Sequence, residues 1–319
     1  MKEIKCIILL LALLLPQSPA AVTDEPYRTW TATDGRTLEA RYIKSTETTV
    51  TVRTKEGRQL ELPIAKLAPP DIAAVRTTAQ NQIIETQRLT GLKTGPYAAS
   101  LTGTWQKMKS ASGLDYHLYA AKRLKPGPLY PLCIYLHGSS NIGSKLTKRE
   151  PGADAFANEA FYTARPCLII APEAPAGTTS FKDIIPQMTA LVKDLVDHLP
   201  IDSARLYLTG FSMGGYGTLD WIAAEPNLFA AGIPIAGFPG PELAARLPKT
   251  TPLWLHWGEL DQPDRAKSLR DALLAANVPL KETEHQGADH VSFHYQVATD
   301  PTVHQWLFAQ KRSVLGAPK

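Results

Sequence analysis

At residues 206–215 the chain reads Leu206-Tyr207-Leu208-Thr209-Gly210-Phe211-Ser212-Met213-Gly214-Gly215. A hydrophobic strand enters this segment, and an apolar helix predicted for residues 216–224 leaves it. Residues 210–214 match G-x-S-x-G, a pattern that is weak alone but much stronger between a strand and a helix. A sharp turn at the serine leaves no room for a Cβ two residues before or after it, which explains both glycines. The segment therefore predicts that Ser212 is exposed on a strained turn, as a nucleophile must be.

Strands and helices alternate along the chain on both sides of this turn. Residues 131–136 and 167–171 are continuously apolar, as expected for strands buried on both faces of a parallel sheet. Apolar residues recur with helical spacing over residues 181–199. The remaining predicted elements are a half-buried strand at 116–121, strands 205–209, 231–235, 252–257 and 280–285, and helices 264–276 and 303–311. This order predicts a doubly wound α/β sheet.

A serine hydroxyl is a poor nucleophile unless a base takes its proton and an acid orients that base. In α/β enzymes with this turn, the acid and then the histidine follow the serine, each after a later strand. His290 lies in a loop just past the last predicted strand, where an imidazole can reach Ser212. His294 is the second choice. The other three later histidines lie in or at the end of predicted strands or in the last helix: His256, His285 and His304.

The acid is expected after strand 252–257. Asp261 lies beyond the turn at Gly258 and before the next predicted helix, so we assign it this role. Glu259 is the alternative, although it lies closer to the strand. Asp264 fits better as a helix cap or a first-turn acid.

An oxyanion intermediate needs two hydrogen-bond donors close to the nucleophile. The backbone N–H of Met213, the residue after the serine, is the first donor we predict. The loop after strand 131–136 supplies the second, and there Gly138 allows a close approach of the backbone. We therefore predict the Ser139 amide as the second donor.

The composition excludes several other kinds of function. The chain has 319 residues, 44% of them hydrophobic and 20% charged, with a net charge of +4. Because the basic residues are scattered, nucleic acid is not an expected partner. His285, His290 and His294 cluster in sequence but match no zinc spacing, and no phosphate-binding glycine loop is present. We predict neither a metal ion nor an organic cofactor.

The first twenty residues have the pattern of an export signal. Lys2 and Lys5 precede an apolar run over residues 7–15, and Ser18-Pro19-Ala20 offers a cleavage site. The run is too short to span a bilayer comfortably, although a retained anchor is the competing interpretation. We therefore predict a secreted or periplasmic protein without stable membrane insertion. Cys133 and Cys167 lie in predicted buried strands, where free thiols are expected.

Residues 22–69 alternate apolar and polar positions and are rich in β-branched residues, so they predict a small all-β module. Its strands are expected at 27–31, 38–43, 48–54 and 59–63. Residues 70–95 are predicted as a helical linker and residues 96–315 as the catalytic domain. The module resembles an SH3-like domain in Trp30, Asp34-Gly35-Arg36 and the segments 40–42 and 62–67. That resemblance implies a tethering or recognition role with an unidentified ligand; a packing role without a ligand is the alternative.

Segments 131–138 and 201–215 together resemble secreted esterases of the α/β-hydrolase superfamily. The similar proteins are feruloyl and acetyl-xylan esterases and polyhydroxyalkanoate depolymerases, and the resemblance covers about residues 100–312. It implies hydrolysis of small-molecule or polysaccharide-linked carboxylic esters through an acyl-enzyme. The sequence departs from this family in two places. Residues 139–143 read Ser139-Ser140-Asn141-Ile142-Gly143, where many relatives carry a glycine and a Glu-Arg-Gly segment, and residues 291–293 lack the tryptophan that many relatives have near the histidine. Both differences concern the substrate rather than the reaction.

Two other functions fit part of this pattern. Serine peptidases of the prolyl-oligopeptidase kind share the catalytic domain but usually carry a propeller, and a module of about fifty residues is too small to be one. A binding protein with an inert hydrolase domain is the other alternative. The intact order of Ser212, Asp261 and His290 argues against it.

Overall fold

The computed structural model describes residues 26–79, 95–120, 129–143 and 151–312. The chain divides into two compact units, residues 1–87 and 88–319. The predicted export signal, 1–20, and most of the predicted linker, 70–95, lie outside the described residues. The proposed limits of the small module and of the catalytic domain stay predictions.

The smaller unit contains a four-stranded antiparallel sheet in the order β1-β2-β3-β4. Gly35 and Gly57, both with φ +83°, lie in the tight turns that join β1 to β2 and β3 to β4. One face buries a small core that includes Trp30, Tyr42 and Val52, and helix α1 covers residues 69–79. The strands are Arg28–Thr31, Thr37–Ser45, Thr49–Thr54 and Gln59–Pro63. The all-β character is thus confirmed, while the SH3-like topology stays a prediction.

The larger unit is built on an eight-stranded mixed sheet. Its order is β12-β11-β10-β9-β7-β8-β6-β5, and neighbouring strands are parallel except near one edge, where β6 runs antiparallel to both β8 and β5. The strands are β5 Trp105–Lys109, β6 Asp115–Tyr119, β7 Tyr130–Leu136, β8 Leu168–Pro172, β9 Ile201–Phe211, β10 Ala231–Ile235, β11 Leu253–Gly258 and β12 Leu280–His285.

Helices cover both faces of this sheet. Helices α4, α5 and α6 pack on one face through residues such as Leu191, Trp221 and Leu269. Helices α2, α7 and α8 pack on the other through Phe156, Val297 and Leu307. The helices are α2 Pro151–Ala157, α3 Glu159–Tyr162, α4 Ile185–His198, α5 Met213–Ala224, α6 Pro263–Ala275, α7 His294–Thr299 and α8 Pro301–Ala309. The doubly wound arrangement is confirmed.

Three local expectations need correction. The helix predicted for 181–199 begins as a 3-10 turn, Phe181–Ile184, because Pro186 cannot donate the backbone hydrogen bond of a continuous helix. The central residues of β6 are buried on both faces, whereas the sequence predicts a half-buried strand. Strand β5 and helices α2 and α3 are not predicted at all. Among the described residues, no helix combines the length and hydrophobicity needed to cross a membrane.

Candidate active site

Ser212 occupies the turn between β9 and α5 with backbone angles φ 54° and ψ −115°. A non-glycine residue with positive φ is strained, at a cost of roughly 1–3 kcal/mol, and persists only where its surroundings enforce it. Here a Cβ on Gly214 would lie 2.0 Å from the carbonyl oxygen of Leu136. One on Gly210 would lie 2.5 Å from the carbonyl oxygen of Gly214. Both positions therefore require glycine, for the steric reason inferred from the sequence.

Backbone hydrogen bonds hold the serine in this conformation. Its N–H donates to the carbonyl of Ile235 on the neighbouring strand β10, at 2.9 Å. Its own carbonyl accepts from the N–H of Tyr216 in the first turn of α5, at 3.1 Å. The turn is thus anchored to the sheet on one side and to the helix on the other, which fixes the direction of the side chain.

The structure brings Ser212, His290 and Asp261 into one hydrogen-bonded chain. His290 Nε2 lies 2.9 Å from Ser212 Oγ, and His290 Nδ1 lies 2.9 Å from Asp261 Oδ2. The Asp261 side chain is only 4% exposed, whereas that of His290 is 41% exposed. A buried carboxylate therefore orients an imidazole that solvent and substrate can reach, and the imidazole contacts the hydroxyl.

Asp261 is positioned by a tight turn after β11. Its N–H donates to the carbonyl of Gly258 at 2.9 Å, and the next residue, Gln262, adopts a left-handed conformation before α6 begins. The alternative acid Glu259 accepts a hydrogen bond from the N–H of Gly287 at 2.7 Å, so it links the two loops instead. Asp264 lies in the first turn of α6, as expected for a helix-stabilising acid.

The loop carrying His290 is held by its own polar groups. The carboxylate of Asp289 accepts from the N–H groups of Val291 and Ser292, at 3.1 and 2.9 Å. These hydrogen bonds lower the pKa of Asp289; the bond from the Val291 N–H contributes most, and the bonds from Ser292 contribute next. The Asp289 N–H in turn donates to the Ser292 hydroxyl at 3.0 Å. These contacts define the turn on which the imidazole stands.

Aromatic packing places the second-choice histidine away from the nucleophile. The ring of His294 stacks on Phe211, with centroids 4.2 Å apart, and its Nδ1 lies 2.7 Å from the carbonyl oxygen of Val291. Phe211 also approaches the ring of His290, at 5.2 Å. His294 therefore packs beside the site and makes its hydrogen bond to the backbone of the loop.

A pair of histidines, the buried His256 and the half-buried His285, lies close to the same loop. His256 Nδ1 and His285 Nε2 are 3.1 Å apart, and the ring of His285 stacks on Phe293 at 4.6 Å. Burial lowers the pKa of both imidazoles, that of His256 strongly. Burial also lowers the pKa of His304, which lies in α8 with its Nε2 2.7 Å from the Ala298 carbonyl oxygen. These three histidines belong to the packing, as their positions in strands and helix suggest.

The predicted oxyanion donors lie on the two segments that adjoin the serine turn. Met213 is the first residue of α5, so its N–H has no acceptor within the helix. Ser139 opens the 3-10 turn Ser139–Asn141 after β7. His137 braces this segment: its Nε2 accepts from the N–H of Ala174 at 3.0 Å, so its Nδ1 carries the proton toward the Gly138 carbonyl, at 2.7 Å. Sequence reasoning did not single out His137, although its position directly after a buried strand was a signal.

A mixed sheet with helices on both faces, and a serine at the sharp turn between strand β9 and helix α5, defines the α/β-hydrolase fold. The larger unit has this fold, as the sequence predicted. Comparison with known proteins agrees. Residues 174–291 match the model of the prolyl oligopeptidase family.

Individual relatives are esterases. Over 138 residues the chain is 30% identical to a bifunctional acetylxylan esterase/xylanase of Neocallimastix patriciarum. This matched region makes up 41% of the present chain and 19% of the length of that protein. The crystal structure of a thermostable esterase is 26% identical with a TM-score of 0.59, covering 66% of this chain and 63% of that one. The structure of a feruloyl esterase module from Clostridium thermocellum, complexed with sinapinate, superposes with a TM-score of 0.53 at 11% sequence identity. The superposition covers 67% of this chain and 90% of the module.

These similarities differ in what they support. The similarity to the feruloyl esterase module supports only a common fold, because the two sequences are just 11% identical. The chain spans about a fifth of the acetylxylan esterase/xylanase and less than two thirds of the thermostable esterase. Together the findings place the larger unit among the serine hydrolases of the α/β-hydrolase fold, with esterases among its relatives.

Proposed function

We propose that this chain is a serine carboxylesterase that hydrolyses its substrates through a covalent acyl-enzyme on Ser212. The hydrogen-bonded chain from Asp261 through His290 to Ser212 carries this proposal, since both of its links are 2.9 Å long. A general base must lie within hydrogen-bond reach of the proton that it removes, and His290 does so.

The proposed reaction has two halves. His290 takes the proton of the Ser212 hydroxyl while the oxygen attacks the ester carbonyl, and the resulting imidazolium gives that proton to the leaving alcohol. Water then attacks the acyl-serine, losing a proton to His290, and the acid leaves as the serine regains its proton. Asp261 holds the imidazole in the required tautomer and stabilises its charged form.

The negative charge that develops on the carbonyl oxygen needs donors. We assign them as the N–H groups of Met213 and Ser139, with the N-terminus of α5 adding its partial positive charge. The bracing of Gly138 by His137 supports this assignment, because it orders the backbone that leads into Ser139.

Polysaccharide-linked acyl groups are the substrate class that we propose, and the similarity to an acetylxylan esterase supports it. We also propose that the protein is exported, because residues 1–20 have the charge and hydrophobicity of a signal peptide. N-terminal sequencing of the mature protein tests export; a mature chain that still begins at Met1 contradicts it.

Labelling and turnover test the proposed chemistry together. The wild-type protein should react with a fluorophosphonate probe and hydrolyse short aryl esters, whereas Ser212→Ala should do neither. As a control, Ser268→Ala changes an exposed serine on α6, outside the loops that carry the proposed acid and base. Turnover retained in Ser212→Ala contradicts the mechanism, and an unreactive wild type favours an inert, ligand-binding hydrolase domain.

Peptide hydrolysis is the second candidate, favoured by the match to the prolyl oligopeptidase family over residues 174–291. An aryl acetate and an aminoacyl anilide separate the two functions, because both release a chromophore from the same acyl-enzyme mechanism. We expect the ester to be cleaved much faster. Preferential cleavage of the anilide contradicts the esterase proposal.

A further inference from the structure

Large apolar side chains are concentrated on the surface around the proposed catalytic loops. Among the described residues, five such side chains are exposed, and three of them lie there: Leu260 at 68%, Val291 at 58% and Tyr295 at 53%. Scattered exposed apolar residues are ordinary on a protein surface, but a group of them beside a reactive centre marks a binding surface. We call these three residues the apolar rim.

Each member of the rim adjoins a residue that makes a contact in the site. Leu260 precedes Asp261, and Val291 follows His290, so both flank the 2.9 Å contact between the carboxylate and the imidazole. Tyr295 follows His294, whose ring stacks on Phe211 next to the nucleophile.

Two hydrogen bonds link the chain segments that carry these three residues. The N–H of Leu260 donates to the carbonyl of Ala288 at 2.9 Å, which ties the loop of the acid to the loop of the base. The contact of His294 Nδ1 with the Val291 carbonyl, at 2.7 Å, ties that second loop to α7. The three rim residues therefore lie on segments that are hydrogen-bonded to one another.

Three polar side chains next to the rim already make hydrogen bonds within the protein. The Asp289 carboxylate and the Ser292 hydroxyl bond to the backbone of their own turn, and Glu259 bonds to Gly287. Apart from the hydroxyl of Tyr295, the rim therefore offers a ligand apolar contact.

The chemistry of the reaction indicates which part of the ester lies here. In the acylation step His290 donates its proton to the leaving oxygen, so the alcohol half must lie against the imidazole. The proposed oxyanion donors, Met213 and Ser139, belong to α5 and to the loop after β7. The carbonyl oxygen is thus directed to other elements than those that carry the rim.

We propose that the apolar rim binds the apolar face of a ring-bearing alcohol half of the substrate. This inference rests on the proposed esterase function and adds to it the moiety on the leaving-group side. An aryl ring and the C–H face of a sugar ring share this chemistry, and the substrates below distinguish them.

The experiment compares three acetates that form the same acetyl-enzyme: benzyl acetate, a methyl xyloside carrying one acetyl group, and methyl acetate. The double variant Leu260→Ala/Val291→Ala removes most of the aliphatic rim. Leu274→Ala is the matched control, because Leu274 is 54% exposed on α6 and adjoins none of the proposed catalytic residues.

We expect the ratio of kcat/KM for a ring-bearing acetate to that for methyl acetate to fall about tenfold in the double variant, in line with the loss of a few methyl groups from a binding surface. Leu274→Ala should leave this ratio within about twofold of wild type. Hydrolysis of the acetyl-enzyme, measured after a burst, should have the same rate in all three proteins, because the alcohol has already left.

A loss confined to benzyl acetate assigns an aryl alcohol, and a loss confined to the xyloside assigns a sugar; either outcome supports the rim. An unchanged ratio for both ring-bearing acetates overturns it. An equal loss on all three acetates also overturns it, because the rim then only supports the fold of the loops. If wild type hydrolyses none of the three and is not labelled by a fluorophosphonate, the esterase function itself is wrong, and that result is distinct from the others.

Discussion

The two regions that meet in the candidate site are held by different forces. The serine turn is set by the backbone: Gly210 and Gly214 pack against carbonyl groups with no space for a Cβ, and β10 and α5 anchor the strained residue between them. The histidine loop, residues 286–293, lies nearer the surface and is held by its backbone N–H groups, which donate to the carboxylates of Glu259 and Asp289.

This difference indicates a division of roles. A nucleophile has to be presented in one orientation, and steric exclusion fixes that orientation without titratable groups. A base has to exchange protons and let the alcohol pass, so an exposed loop with polar supports suits it. We therefore expect changes in the serine turn to act mainly on folding, and changes in the histidine loop mainly on rate and pH dependence.

The largest effect is expected where the two regions depend on one contact, that between Asp261 and His290. Asp261→Asn keeps the size of the side chain but removes the charge and favours the wrong imidazole tautomer. In serine enzymes with this arrangement such a change lowers kcat about 10⁴-fold. Steady-state kinetics with an aryl ester measure it, and an unchanged melting temperature shows that the fold is intact.

Glu259→Gln is the matched control for that change. Glu259 lies two residues away and bonds to the Gly287 N–H, an interaction that the glutamine oxygen can keep. We expect kcat to change less than about tenfold. If Glu259→Gln were the more damaging of the two substitutions, the assignment of the orienting acid would be wrong.

Two glycine substitutions separate the steric turn from the loop. At Gly214 a Cβ would lie 2.0 Å from the Leu136 carbonyl oxygen, so Gly214→Ala must displace β7 or α5. We expect the free energy of unfolding to fall by about 3 kcal/mol. Gly287 has φ +66°, but no atom lies within 4 Å of the point that an alanine methyl group would occupy. Gly287→Ala should therefore cost only about 1 kcal/mol of backbone strain.

Denaturant unfolding of both variants measures this difference. Equal destabilisation by the two substitutions would contradict the view that the serine turn is fixed by close backbone packing. It would instead indicate that β7 and α5 move apart at little cost to admit a methyl group at Gly214.

The site is predictable from sequence where its geometry is local. The serine turn is contained in ten consecutive residues, and its steric requirement can be read from the spacing of the glycines. Asp261 and His290 could be chosen because the acid and base of this fold follow successive strands. To choose either residue, it was enough to recognise the end of the preceding strand and the loop that follows it.

The contacts between segments could not be predicted in this way. The pair of His256 and His285 depends on the register of β11 with β12, and the bracing by His137 depends on where β8 ends beside β7. Strand β5 contains two lysines and lies at the sheet edge, so it has the weak signal of a protected edge strand. Helix α2 has a glycine at its second position, Gly152, because a Cβ there would collide with the ring of Tyr135. Glycine weakens the helical signal of this short segment.

The smallest of the expected effects is the acid sensitivity of the histidine region. Burial lowers the folded-state pKa of His256 well below its ordinary value of 6.5, and lowers that of His285 as well. Well above pH 6.5 both imidazoles are neutral in the folded and in the unfolded state, so stability does not change with pH through them. Below pH 6.5 the unfolded chain binds more protons than the folded one, so stability falls as the pH falls toward the folded-state pKa.

Melting temperatures between pH 7 and pH 5 measure this loss. His256→Leu removes the buried imidazole and should make the decline shallower, even if the variant is less stable at pH 7. Leu274→Ala, at an exposed position on α6 without a titratable group, should leave the decline as in wild type. A His256→Leu variant with an unchanged decline would place the acid sensitivity outside this pair. A shallower one would locate it beneath the loop that carries the base, since His285 stacks on Phe293 only three residues from His290.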